Sequence, residues 1–293
     1  MKPAIPVAAL ALLLAGALST GCEEASTTKL LRFTCIPDQN TTELKEKFDP
    51  LAEYLARKLG VEVEYVPATD YQASVQMFVN GDVHLAWFGG LTGVQARHKI
   101  RGAQAIAQGR EDPNYHSYFI AHKDTNLKRS DDFPQAIGTM SFTFGSESST
   151  SGRLMPEYFI RQHTGRPPEE FFKTRPMFSG AHDSTIELVE SGRVQVGAVN
   201  YKVYDTRVAN DKTDPDTCKI IWVTPVYADY NFTAHPELDL MFGTGFIDKL
   251  QAALLEMDDP QLFAALQREQ LIQAKNKDFE GIAAVASELG FLN

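Results

Sequence analysis

The sequence predicts an α/β fold divided into two lobes, and three observations carry this prediction. The chain has 293 residues, which exceeds the size at which one hydrophobic core usually stops growing. Short runs of β-branched and aromatic residues alternate with segments whose apolar residues recur at helical spacing, which is typical of largely parallel sheets. With 43% hydrophobic and 23% charged residues, the composition is that of an ordinary globular protein.

The first half of the chain shows the alternation clearly. Residues 30–36 have the composition of a strand, and residues 42–59 carry leucines and a phenylalanine at helical spacing, so a strand and then a helix are expected. The same pattern predicts further strands at 61–66, 83–88, 103–108 and 116–121, and helices at 71–80 and 92–98.

The second half continues this pattern and then changes character. Strands are expected at 138–144, 194–199, 219–225 and 230–234, with helices after Ser151 and at 184–191. After residue 237 the apolar spacing is helical throughout, which predicts three amphipathic helices and an all-helical end of the chain, at 246–255, 261–271 and 278–289.

The N-terminus predicts export. A basic start, an apolar run at 4–18 and small residues up to Gly21 have the layout of a signal peptide, so residues 1–21 are assigned to it. Gly21-Cys22 resembles a bacterial lipobox, in which the cysteine is acylated and becomes the first residue. Plain cleavage stays open because Ser19 stands where a leucine is usual. We expect contact with the membrane through this lipid anchor only, with no transmembrane helix elsewhere.

Charge and motifs exclude several classes of function. The chain has 28 Lys and Arg against 38 Asp and Glu, a net charge of −10, which argues against binding of nucleic acid or an anionic lipid surface. Nucleotide-binding, serine-hydrolase, zinc-protease and C-x-x-C redox motifs are missing, and the histidines have no metal-ligand spacing. We therefore expect no enzymatic activity, no cofactor and no metal. Cys35 and Cys218 could form one disulfide, which the sequence does not decide.

Four turns between a predicted strand and the following helix are rich in hydroxyl groups or glycine, at 68–71, 89–92, 145–152 and 179–184. In α/β proteins ligands bind beyond the carboxyl ends of the strands, where helix N-termini favour anions. The third turn contains three consecutive hydroxyl groups that could bind one tetrahedral oxyanion, those of Ser149, Thr150 and Ser151. The alternative for these residues is simple N-capping of the helix.

These turns resemble a known family. The segment FGSESSTSGRLMP at 144–156 resembles the signature of the phosphate, phosphite and phosphonate substrate-binding proteins of ABC transporters, whose Ser-Thr-Ser holds the oxyanion. Four more stretches look like the family's other pocket segments, in the same order: TDY at 69–71, LAWFGG at 85–90, SGAHD at 179–183 and VN at 199–200. The resemblance covers about residues 30–240. Within the family, the chain looks most like the branch named for selenate transport.

The resemblance implies a type II periplasmic binding protein, in which two lobes, each a sheet flanked by helices, are joined by crossings near Phe119 and Val226. Lobe one would comprise 28–119 and 231–293, and lobe two 120–230. The implied function is capture of a small oxyanion between the lobes by a monomer in the periplasm, followed by delivery to a membrane permease. The alternative is an oxyanion sensor that docks on a membrane histidine kinase. The implied binding residues are Tyr71, Gly90, Thr92, Ser149, Thr150, Ser151, His182 and Asn200.

Some of these residues have a second interpretation, and one departs from the family pattern. His182 is expected to donate to the oxyanion, with packing at a helix start as the alternative, and Cys35 is expected to be an inert buried thiol rather than a ligand. Asn200 stands where phosphonate binders often have Asp. Its NH₂ group favours an unprotonated dianion such as selenate or sulfate, with little change in affinity between about pH 6 and 8.

Overall fold

The structure is a computed structural model that describes residues 29–39 and 41–292 together with residues 1 and 4, and for residues 41–43 only the backbone. The remainder of the predicted signal peptide and Cys22 lie outside the described residues. The export signal and the lipid anchor therefore stay predictions.

Among the described residues, the strands form two sheets, in agreement with the predicted α/β class. The six-stranded sheet has the order β11-β4-β10-β3-β1-β2 and the five-stranded sheet the order β7-β6-β8-β5-β9. The strands are β1 Leu30–Cys35, β2 Glu62–Tyr65, β3 Leu85–Phe88, β4 Gln104–Gly109, β5 Ser117–His122, β6 Phe142–Phe144, β7 Met177–Phe178, β8 Val196–Asn200, β9 Cys218–Val223, β10 Asn231–Ala234 and β11 Leu271–Gln273.

Helices flank the two sheets. They are α1 Thr41–Leu59, α2 Tyr71–Val79, α3 Gly90–Lys99, α4 Met155–Thr164, α5 Pro168–Phe171, α6 His182–Glu190, α7 Tyr201–Ala209, α8 Glu237–Phe242, α9 Phe246–Leu255, α10 Pro260–Ala264 and α11 Glu280–Glu288. A π-helical turn at Thr150–Leu154 leads directly into α4. Within the described part of the chain, no helix combines the length and the apolar character that crossing a membrane requires.

The sheets are mixed, which corrects the expectation of largely parallel sheets. Strands β1, β2 and β3 run parallel, whereas β10 is antiparallel to both β3 and β4. In the other sheet β6, β7 and β8 are parallel, and β5 is antiparallel to β8 and β9. Strands β5 and β10 enter their sheets directly from the opposite lobe. They are not preceded by a crossover helix within the same sheet, which is the connection that makes neighbouring strands parallel.

The C-terminal region also differs from its prediction. The helix expected at 261–271 is limited to α10, and the chain then forms β11, which pairs antiparallel with β4. Gln267 has a positive φ of 53°, and the buried Arg268 side chain pairs with Asp112. A left-handed residue cannot continue an α-helix, so the apolar pattern beyond it becomes an edge strand instead.

Two chain segments cross between the lobes, residues 110–116 and 224–230. They are paired by Tyr115 and Tyr227, whose N–H groups each donate to the other's carbonyl oxygen at 2.8 and 2.9 Å. Strand β5 begins at Ser117 and belongs to the five-stranded sheet, so a lobe boundary at residues 119/120 falls inside a strand. The two crossings thus form an antiparallel bridge, so they can bend together when the lobes move.

The disulfide left open by the sequence does not form. Cys35 and Cys218 are both free and buried, one in β1 and the other in β9, which belong to different sheets. The Cys35 Sγ lies 3.0 Å from the Tyr65 hydroxyl, and burial raises the pKa of the thiol. Cys35 is therefore an unreactive core thiol in this structure.

Candidate functional site

The Ser-Thr-Ser turn lies after β6, at the start of the π-helical turn, with all three side chains buried. Ser149 is the N-cap, since its Oγ accepts a hydrogen bond from Gly152 N at 2.9 Å. Thr150 and Ser151 have other partners. The Thr150 Oγ1 accepts from Leu91 N on the opposite lobe at 3.0 Å. Capping thus explains one hydroxyl of the three and leaves the other two for another purpose.

Tyr71 is the first residue of α2, on the opposite side of the cleft. The preceding Asp70 caps the helix by accepting from Ala73 N at 2.7 Å. The Tyr71 side chain is 2% exposed, and its hydroxyl lies beside Ser149 without a hydrogen-bond partner of ordinary geometry among the described residues. An unsatisfied buried hydroxyl is costly, so its direction toward the serine turn indicates a binding role.

His182 begins α6 and is 1% exposed. Burial lowers the pKa of its imidazole to about 3, so the ring is neutral near pH 7. Its Nδ1 accepts from Asn200 N at 3.4 Å, which leaves the proton on Nε2, and that atom lies 3.5 Å from the Ser151 Oγ. The fixed tautomer makes His182 a neutral donor aimed at the serine turn.

Asp229 is a site residue that the sequence analysis missed. It lies on the second crossing and is 1% exposed; its Oδ1 accepts from Gly90 N at 2.8 Å, and its carboxylate lies beside the Thr150 hydroxyl. Its Oδ2 has no hydrogen-bond partner among the described residues. Burial is the main cause that raises the pKa of the carboxyl to about 7. The available signal was an Asp directly before the strand that the sequence predicts at 230–234.

The glycine pair Gly89-Gly90 allows these groups to meet. A Cβ on Gly89 would lie 3.1 Å from the Thr150 Oγ1 and 3.3 Å from the Asp229 Oδ1, and one on Gly90 would lie 3.0 Å from a backbone oxygen. A side chain at either position would therefore force its neighbours to move by a few tenths of an ångström. Thr92 is buried, and its hydroxyl donates to the Gly89 carbonyl at 3.2 Å, so it stabilises the start of α3.

The geometry of Asn200 differs from the role expected for it. Its Oδ1 caps α7 by accepting from Val203 N at 2.7 Å, and its Nδ2 donates to the Tyr230 hydroxyl at 3.0 Å. The NH₂ group that was expected to face the ligand is thus directed at a tyrosine. The physical reason is that Asn is a strong N-cap residue at the end of a strand that leads into a helix.

The functional groups of the site are neutral hydroxyl and imidazole donors and one buried carboxyl. No group of three or more His, Cys, Asp and Glu side chains in the described ranges could hold a metal ion. A buried cluster of neutral donors suits an anion, and the free oxygen of Asp229 suits a proton carried with that anion. The arrangement therefore fits a small oxyanion that shares one proton with the protein.

The comparisons with known proteins agree with this geometry. Residues 33–279 match the family model described as ABC transporter, phosphonate, periplasmic substrate-binding protein. The chain is 36% identical over 271 residues to the "Probable ABC transporter phosphite binding protein PhnD1" of Prochlorococcus marinus, covering 90% of this chain and 91% of that protein. It is 30% identical to the "Phosphate-import protein PhnD" of Mycolicibacterium smegmatis, covering 83% and 78%.

Solved structures give the same result. The chain is similar to PhnD1 from Prochlorococcus marinus in complex with methylphosphonate, with a TM-score of 0.85, 36% identity, and coverage of 90% of this chain and 99% of that one. The protein belongs to the family of periplasmic substrate-binding proteins of phosphonate ABC transporters. The predicted family and the two-lobe binding-protein fold are confirmed, and membership implies a periplasmic location.

Proposed function

We propose that the protein captures phosphite, methylphosphonate or a similarly small phosphorus oxyanion in the cleft and delivers it to an ABC permease. The single observation that carries this proposal is the buried cluster of polar side chains formed by the Ser-Thr-Ser turn, Tyr71, His182 and Asp229. Two atoms there, the Tyr71 hydroxyl and the Asp229 Oδ2, have no partner among the described residues. The relatives named for phosphite and phosphate, and the similar structure that holds methylphosphonate, support the same ligand class.

We assign ligand contact to Tyr71, Ser149, Thr150, Ser151 and His182, and we add Asp229. Hydroxyl, imidazole and helix N-terminal N–H groups donate to the oxyanion without placing a full positive charge in the site. Gly90 allows the second crossing to approach the start of α3, and its N–H donates to Asp229. Thr92 and Asn200 are assigned to the local structure rather than to the ligand, because Thr92 stabilises the start of α3 and Asn200 caps α7 and donates to Tyr230.

Asp229 selects for ligands that bring a proton. An ionised carboxylate repels a dianion but accepts a hydrogen bond from a protonated oxygen. Phosphite, phosphate and phosphonates are partly protonated near neutral pH, whereas selenate and sulfate are not. Selenate, which the Asn200 argument favoured, stays a prediction, and Asp229 argues against it. The sensor alternative finds no support in the relatives, which are named for import or transport binding.

The test is a ligand panel measured by thermal shift and then by calorimetry, with phosphite, methylphosphonate, phosphate, 2-aminoethylphosphonate, sulfate and selenate. Because a ligand that binds only the folded state raises the melting temperature, phosphite or methylphosphonate should give the largest shift. Recovery of chemically unchanged ligand would agree with binding and not catalysis. Tight binding of selenate with no response to phosphite or methylphosphonate would overturn the proposed ligand class.

A further inference from the structure

We propose that Asn200 and Tyr230 form a latch between the two lobes, and that Asn200 governs ligand affinity through this latch and not by touching the ligand. This inference rests on the proposed function. Both side chains are buried, at 1% and 3% exposure, and the Asn200 Nδ2 donates to the Tyr230 hydroxyl oxygen at 3.0 Å. The Oδ1 of Asn200 caps α7, so its oxygen and one of its two Nδ2 hydrogens are already used within the protein.

Asp38 fixes the direction of this hydrogen bond. The Tyr230 hydroxyl donates its proton to the Asp38 Oδ2 at 2.7 Å, so the oxygen of Tyr230 is left to accept from Asn200. The chain therefore runs from amide to phenol to carboxylate, with each group donating to the next. A hydrogen-bond chain of one direction in a buried place strengthens its members.

Arg268 holds the tyrosine in position. Its guanidinium carbon lies 4.8 Å from the centre of the Tyr230 ring, and the guanidinium forms a buried ion pair with Asp112. Asp112 lies in the first crossing and Tyr230 ends the second crossing, so the same arginine connects the latch to both crossings. A stacked arginine with a carboxylate partner is a rigid support for an aromatic ring.

The location of the three residues decides which bond opens. Asp38 follows β1 and Tyr230 precedes β10, both strands of the six-stranded sheet, whereas Asn200 ends β8 of the five-stranded sheet. When the lobes separate, the Asp38–Tyr230 bond stays within one lobe and the Asn200–Tyr230 bond breaks. A second contact, from His182 N to the Asp38 carbonyl oxygen at 3.0 Å, breaks with it.

The consequence is specific to closure. Loss of the latch weakens the closed form and leaves the open form, which first meets the ligand, unchanged. The dissociation rate should therefore rise while the association rate stays constant. The loss should also be the same factor for every ligand, because the latch makes no contact with any of them.

The experiment uses two variants of the full chain, Tyr230→Phe and Asn200→Ser. The first removes the acceptor, and the second keeps an N-cap oxygen for α7 without the amide donor and without new charge. Stopped-flow binding of phosphite and of methylphosphonate should show dissociation roughly ten times faster in each variant, with the ratio of the two affinities unchanged. The double variant should dissociate no faster than Tyr230→Phe alone, since both substitutions remove the same Asn200–Tyr230 bond.

Tyr204→Phe is the matched control, because its buried hydroxyl donates to the Cys218 carbonyl within one lobe. It should leave both rates unchanged. A change in the ratio between phosphite and methylphosphonate affinity in Asn200→Ser would overturn the latch and restore direct contact with the ligand. Unchanged dissociation in Tyr230→Phe would also overturn it.

Failure of the proposed function would look different. If the wild type binds neither phosphite nor methylphosphonate, the proposed ligand class fails, and small-angle X-ray scattering of the unliganded protein then decides the latch. Tyr230→Phe must give a larger radius of gyration than the wild type and than Tyr204→Phe, because its lobes spend more time apart. Equal radii would overturn the latch.

Discussion

The two faces of the cleft carry different chemistry. The face built on the five-stranded sheet presents Ser149, Thr150, Ser151 and His182, which are neutral donors at the starts of helices. The opposite face and the second crossing present one phenol, that of Tyr71, and a buried acid, Asp229. Under the proposed function, affinity and proton selection are therefore separated in space: the neutral donors of one face bind the anion, and the acid of the other responds to its protonation.

The largest effect is expected at Thr150, on the face that carries Ser149, Thr150, Ser151 and His182, here called the donor face. Its hydroxyl accepts from Leu91 N across the cleft and lies beside Asp229, so Thr150→Val removes a ligand donor and an interlobe bond together. Loss of a hydrogen bond to a charged group costs about 1.5 to 3 kcal/mol, so affinity for phosphite should fall up to about 100-fold by calorimetry.

Thr143→Val is the control for this change. Thr143 is equally buried in the same lobe, but its hydroxyl donates to the Phe144 carbonyl and not into the cleft. It should bind phosphite as tightly as the wild type. If Thr150→Val lowered the melting temperature and left the affinity unchanged, the donor face would be a structural cap and the comparison between the faces would fail.

The other face, which carries Tyr71 and Asp229 and is here called the acidic face, should make ligand affinity depend on pH. Selenate brings no proton, so it should bind well only when Asp229 is protonated, and the pKa of that carboxyl is raised to about 7 by burial. About nine tenths of the carboxyl is protonated at pH 6 and one tenth at pH 8, so selenate affinity should fall about tenfold across this range.

Two comparisons sharpen this pH test. Phosphite and methylphosphonate can supply the proton themselves, so their affinity should fall less between pH 6 and 7. Asp229→Asn does not ionise and should bind selenate equally at pH 6 and 8. A flat selenate profile in the wild type would agree with the earlier expectation from Asn200 and would remove the acid from the mechanism.

The sequence predicted the donor face far better than the acidic face. Consecutive hydroxyls before a helix are a local signal, and the structure places Ser149 beside Tyr71 and Ser151 near His182. Their contact with the ligand stays a prediction. Asp229 could not be found in this way because its meaning depends on which distant loops surround it. Gly90 and Thr150 are far from it in sequence, yet they lie next to it in the fold.

The fold shows the same division between local and tertiary information. Helix α9 coincides with its predicted bounds because apolar spacing within ten residues specifies an amphipathic helix. Strand β11 was missed because the feature that ends α10, the pairing of Arg268 with Asp112, joins residues that are far apart in the chain. The local sequence pattern was enough to predict elements such as α9, whereas β11 depended on a contact between residues that are far apart in the chain.

The smallest expected effect is on the stability of the unliganded protein, and it also distinguishes the two faces. Burial raises the pKa of Asp229 from its ordinary value near 4 to about 7, so the folded state holds a proton that the unfolded state releases between these pH values. This group therefore lowers stability as pH rises from about 4 to 7, and its penalty is complete above pH 7. Asp229→Asn keeps an oxygen for Gly90 N and carries no charge, so at pH 8 it should raise the melting temperature by on the order of 5 °C while binding is impaired. At pH 4 the two proteins should have the same melting temperature.

No donor-face variant should show this crossover, because His182 behaves oppositely: its lowered pKa stabilises the protein above pH 6.5 and costs stability as pH falls toward 3. Thermal melts of wild type, Asp229→Asn and His182→Gln from pH 4 to 8 measure both slopes, and equal slopes in all three would remove the charge asymmetry between the faces.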